Sequence, residues 1–210
     1  MIYAENILIC IAVPLLISLL FIRGGNRRFV ASFLVGMGVC LLSAYISGYI
    51  NYAAELGADE TSVFISPIVE ELMKLLPVLF MLFLFEPSDN ALLPVAIGVG
   101  TGFATFENCC HILTAGAESL PYILVRGMAV GVMHIVSMMA VTMGLLIARQ
   151  WKALSIPGIT GALSLPVTFH ALYNLLVSER GVSSHIGYAL PLLTAVILVI
   201  PYRKVFKVKI

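Results

Sequence analysis

The sequence predicts an all-α polytopic membrane bundle of about seven helices, and three observations carry that expectation. Of the 210 residues, 60% are hydrophobic and 11% charged, against about 45–50% and about 25% in soluble domains. The apolar residues gather into runs of about 20, the length a helix needs to cross a bilayer. The connections are short, without an internal repeat or a low-complexity tract, so 1–210 reads as one integral-membrane domain.

The first expected span, 2–22, lacks a basic leader and a small-residue exit, so it reads as a retained anchor rather than a cleaved signal. Arg23, Arg27 and Arg28 separate it from the second, 29–50. The loop 51–62 holds Glu55, Asp59 and Glu60 and no base; the third and fourth spans are 63–85 and 91–113. The fifth, 122–148, is followed by Arg149 and Lys152. The sixth is 153–177, and the seventh, 186–202, precedes Arg203, Lys204, Lys207 and Lys209. Nine of the 12 Lys and Arg residues thus follow spans one, five and seven. The positive-inside rule puts them in the cytoplasm, with the N-terminus outside and the C-terminus inside.

Net charge of +1 without a basic stripe argues against nucleic-acid binding. Cys10, Cys40, Cys109 and Cys110 all sit in apolar runs and do not form a secreted disulfide framework; the Cys109–Cys110 pair reads as small apolar packing.

The polar residues inside the spans point to function. Glu70 and Glu71 interrupt the third span, where a carboxylate at a helix centre costs at least about 2.5–3.5 kcal/mol. At 1.5 Å of rise per residue, Glu70, Glu71 and Glu107 lie about two turns from the outer surface. His134 lies about three turns down and His170 about two turns from its exit. Four spans therefore bring Glu, Glu, His and His to similar depth. Lys74 is spaced to pair with Glu70 or Glu71, His111 with Glu107, and Asn174 and Tyr173 share a face with His170. Arg126 lies near the outer end of span five.

Two histidines and a carboxylate are a common ligand set for a hydrolytic zinc, with a further carboxylate as base for its water. The inventory is Glu107, His134 and His170 as ligands and Glu70 or Glu71 as base. The structural alternatives are a buried Glu–Lys salt bridge that fixes packing and interhelical histidine hydrogen bonds. Pro67, Pro77 and Pro166 can kink spans three and six, and Gly98, Gly100, Gly102, Gly127 and Gly131 permit close helix approach.

Four motifs in order carry a family resemblance. They are Glu70-Glu71-Leu72-Met73-Lys74, Phe103-Ala104-Thr105-Phe106-Glu107-Asn108, the lone His134, and His170-Ala171-Leu172-Tyr173-Asn174. Together they resemble the PrsW family of intramembrane proteases and, more distantly, the CAAX prenyl endopeptidases, over a core of about 60–177. The resemblance implies a bacterial plasma-membrane endopeptidase that cuts a membrane-anchored protein in or near its transmembrane segment, an anti-sigma factor among such substrates in a stress response. It implies catalytic roles for Glu70, Glu71 and Asn174, zinc ligation by Glu107, His134 and His170, and support from Lys74, Asn108 and Phe103. Metallo and glutamic mechanisms both fit these motifs. The rival reading is a non-catalytic membrane scaffold that binds a partner helix. A cation-coupled transporter ranks last, because transporter folds are commonly built from repeated halves.

Overall fold

The computed structural model describes residues 4, 8, 24–85, 87–115, 119–151, 155–179 and 181–206. Among them are six long helices and no strand: α1 (Gly24–Ala54), α2 (Ser66–Phe85), α3 (Asp89–Ala115), α4 (Leu120–Gln150), α5 (Ser155–Ser178) and α6 (Val182–Phe206). α1, α3, α4 and α6 contain the expected spans two, four, five and seven; α2 and α5 overlap spans three and six, expected to start at 63 and 153. The expected first span, 2–22, lies outside the described residues except for Ala4 and Leu8. Those two pack against a buried cluster of Met37, Cys40, Phe103 and Phe106. Gly24–Ala54, Leu120–Gln150 and Ile156–Ser178 are long and apolar enough to cross a membrane. α2 holds Glu70, Glu71 and Lys74 within its 20 residues.

The packing follows from small residues. α1 lies most extensively on α3. A Cβ on Gly102 would run into the backbone of Phe33, so this contact requires glycine. Gly100 does the same for the neighbouring pair: a Cβ there would stand 2.8 Å from the backbone oxygen of His134, which fixes α4 against α3 at a site residue. A Cβ on Gly127 or Gly131, expected to serve this purpose, would meet nothing within 4 Å.

Prolines shape the entry to α2. Thr61–Ile65 forms a π-helical turn, in which the Ser66 amide donates to Thr61 O. Pro67 explains it: its ring would clash with the carbonyl four residues back in an α-ladder, and the wider turn relieves that clash. Pro67 also lacks the N–H that would reach Ser62 O in the π pattern. Asn174 of α5 fills that gap, its Nδ2 donating to Ser62 O at 2.9 Å. Pro77, Pro94 and Pro166 lie inside α2, α3 and α5.

Candidate active site

The polar residues of four helices meet in the half of the bundle next to the 51–62 segment. α2 supplies Glu70, Glu71 and Lys74, α3 Glu107, α4 His134, and α5 His170. Glu71, Lys74 and His134 are fully buried, and His170 nearly so. The rings of His134 and His170 lie 5.2 Å apart at 87°.

Their hydrogen bonds form one continuous chain. Lys74 Nζ donates to Glu71 Oε1 at 2.7 Å and to His134 Nδ1 at 2.6 Å. An ammonium can only donate, so Nδ1 accepts and the His134 proton sits on Nε2, which donates to Glu107 Oε2 at 2.6 Å. Arg126 pairs with the other oxygen of Glu107 at 3.4 Å. Glu71 Oε1 also accepts from His170 Nδ1 at 2.9 Å. That leaves the lone pair on His170 Nε2, 3.7 Å from Glu70 Oε2. Phe103 lies beneath the chain, its ring centroid 4.7 Å from that of His134 and 4.9 Å from Lys74 Nζ.

The two adjacent glutamates therefore differ. Glu71 is sealed in the interior, one oxygen shared by an ammonium and an imidazole. Glu70 lines a cleft of about 340 Å³, together with Glu107, His170, Arg126, Tyr173 and Asn174. Two larger cavities, of about 540 and 910 Å³, are lined almost wholly by apolar side chains and contain none of the cluster. Size alone would point away from the chemistry.

Buried polar atoms without a hydrogen-bond partner gather here: Glu70 Oε2, Glu71 Oε2, Asn108 Oδ1, Arg126 Nε and Tyr173 OH. Native interiors rarely leave such groups unmet, and those that remain call for a ligand, a catalytic role or water. Glu70, His134 and His170 each offer a ligand atom, and these atoms lie within 4.8 Å of one another. The donor set of one carboxylate and two imidazoles fits a hydrolytic metal, and the unpartnered Glu70 Oε2 and open His170 Nε2 are what such an ion requires. Glu107, expected as a ligand, instead stands behind His134 as its hydrogen-bond acceptor. Ligation by His134 Nε2 would require the tautomer protonated at Nδ1, with Lys74 Nζ moved off that nitrogen.

The remaining expected residues have these places. Asn174 holds the π-helical turn through Ser62 while lining the cleft. Asn108 is half-buried with its Oδ1 unpaired. Cys40, Cys109 and Cys110 form no disulfide among the described residues, and none of them belongs to the metal-competent group. Arg126 and Tyr173 were visible in the sequence only by position and by helical spacing from His170. The signal that finds Arg126 is a permanent charge one to two turns inside a span.

The family described as PrsW family intramembrane metalloprotease matches residues 26–201. No curated protein and no solved structure matches the chain.

Proposed function

Because the chain belongs to the PrsW family of intramembrane metalloproteases, we propose that it hydrolyses a peptide bond near the outer end of a substrate's transmembrane segment. The observation that carries this reading is Glu70, which lines a polar cleft with its Oε2 lacking a hydrogen bond and offers a ligand atom within 4.8 Å of those of His134 and His170. Glu70, His134 and His170 are the residues to hold a zinc ion. Zinc, when bound, supplies a Lewis acid for the scissile carbonyl and lowers the pKa of water.

The chain's own groups divide the rest of the work. Ligation through His134 Nε2 would require the other tautomer, its proton moved from Nε2 to Nδ1 and Lys74 Nζ turned away from Nδ1. Glu107 Oε2 is then free to accept the proton of the attacking water and to pass it to the leaving amine. Glu71 holds His170 by Nδ1, which fixes the tautomer with Nε2 open; a carboxylate behind a ligating histidine commonly plays this part. Lys74 balances the charge of Glu71. Asn174 sets the rim through Ser62, and Asn108 is available to the substrate backbone.

A second reading rests on one observation: both ring nitrogens of His134 are already engaged, by Lys74 and Glu107. In that glutamic form, Glu70 Oε2 alone takes the water's proton, with His170 Nε2 beside it. Glu71, sealed inside, is the poorer base in either form.

The substrate class follows from the cleft's position and the distribution of basic residues. We place the chain in a bacterial plasma membrane with seven spans and the cleft toward the outer face. A single-span protein cut at its outer stalk, of the anti-sigma-factor kind, suits that geometry. The test is metal content and proteolysis of the purified full-length chain on a membrane-anchored substrate. About one zinc per chain, lost together with activity on chelation and restored by zinc, is expected. Full activity after exhaustive chelation selects the glutamic form. Absence of cleavage with metal, without it, or in Glu70→Gln alike sinks the protease reading in favour of a scaffold.

A further inference from the structure

We propose that Arg126 and Tyr173 form a carboxylate-binding subsite in the cleft, so that the enzyme prefers substrates carrying an aspartate or glutamate side chain beside the cut bond. The inference rests on the protease reading and adds a specificity to the same site.

Arg126 lies about two turns into α4, within a membrane-spanning segment. Its guanidinium cannot be neutralised and carries five N–H donors in a planar fork. At that depth such a charge marks a functional position unless it is fully paired, and Arg126 is not. Its pairing with Glu107 is a single 3.4 Å contact through Nη2, longer than the roughly 2.7–2.9 Å of a charge-assisted bond. Glu107 makes no bidentate pair with it; its other oxygen bonds His134 at 2.6 Å. Arg126 Nε is buried and has no acceptor.

Tyr173 repeats the pattern from the facing helix α5. Only 3% of the residue is exposed, yet its hydroxyl has no partner. Both side chains line the same cleft as Glu70 and His170. A desolvated N–H and O–H left without acceptors are costly, and their cost is removed by an acceptor entering the cleft. The fork geometry of a guanidinium matches a planar carboxylate. A lysine in the same place would meet like charge.

The experiment uses the full-length chain in detergent with synthetic peptides made of an apolar span and an outer stalk. The stalk residue next to the cut is Glu, Gln or Lys, and each peptide is made with a free and an amidated C-terminus. Cleavage is followed by mass spectrometry. The Glu peptide is expected to be cut roughly tenfold faster than the Gln peptide and faster still than the Lys peptide, whatever the C-terminus. Arg126→Glu should reverse the order to favour Lys over Glu. Tyr173→Phe should shrink the Glu-to-Gln ratio by about threefold, the share of one neutral hydrogen bond. Each ratio is taken within one protein, so partial misfolding of a variant does not enter it, and the wild-type ranking needs no variant. Equal cutting of all three stalks by wild type overturns the subsite and leaves the protease reading intact. A rate that follows the free C-terminus rather than the stalk residue also overturns it. No cutting of any peptide removes both.

Discussion

α2, α3 and α4 each change character within about one turn. In the half that carries the cluster they bury Glu71, Lys74, Phe103 and His134. In the other half the same helices bury Leu75, Val78, Leu92, Ala96, Val99, Met138, Val141, Leu145 and Leu146 as one apolar cluster. Lys74 and Leu75 are consecutive, yet one ends in an ion pair and the other in that cluster. The contrast separates two ways of holding helices together in lipid. Apolar side chains gain little by leaving hydrocarbon, so the apolar half depends on close packing. The polar half depends on every charge finding its counterpart, because an unpaired charge has no water to turn to.

The largest effect should come from breaking that match. Lys74→Met leaves Glu71 buried without its ammonium and is expected to cost about 3–5 kcal/mol of stability. Thermal unfolding in detergent reads it, and Glu71→Gln added to Lys74→Met should return part of the loss. If the single variant melts with wild type, the ion pair is not what closes this half.

Glu70→Gln should separate chemistry from stability. Glu70 lines the cleft and its Oε2 has no hydrogen bond to lose. Proteolysis should fall by about 10²-fold or more, while stability changes by less than about 1 kcal/mol. Substrate turnover and unfolding, measured on the same preparation, decide it; a large loss of stability would make Glu70 a structural residue like Glu71.

The apolar half should respond more mildly. Leu145→Ala is expected to cost less than the roughly 2–5 kcal/mol of a soluble core, because the hydrophobic transfer term is largely absent in lipid. Activity per folded molecule should stay at the wild-type level. A cost as large as that of Lys74→Met would erase the distinction between the halves.

Asn174→Ala should give the smallest change. It strands the Ser62 carbonyl, but this bond lies in an exposed position, so water can replace the amide. About 1 kcal/mol is expected, seen as faster amide exchange across the π-helical turn Thr61–Ile65 rather than as global unfolding. Unchanged exchange there would detach Asn174 from the turn.

Several of these distinctions were legible in the sequence. Carboxylates and imidazoles at matched depth in four spans predicted a meeting point, and Glu70, His134 and His170 do meet. The i, i+3 spacing allowed Lys74 to pair with Glu71, and it does, at 2.7 Å. What spacing left open was which neighbour each group would choose. Glu107 faces His134 and Arg126 from another helix. Asn174 reaches across to Ser62, a carbonyl exposed by Pro67. Gly127 and Gly131 look like contact glycines, yet a Cβ there would meet nothing within 4 Å, whereas one on Gly100 or Gly102 would clash with a neighbouring helix.

The sequence by itself determined an all-helical membrane chain and the spacing of the polar groups along its helices. Those follow from the hydrocarbon thickness, the 1.5 Å rise and the 3.6-residue turn, all local quantities. Only the tertiary structure decided that Glu71 is sealed while Glu70 opens to the cleft, and that Arg126 keeps donors to spare. The rotation of one helix against another depends on contacts such as Gly102 on Phe33 and Gly100 on His134, which join residues far apart in the chain. Two adjacent carboxylates on one helix point about 100° apart, and the neighbours that surround each direction are set by that rotation, not by the order of residues.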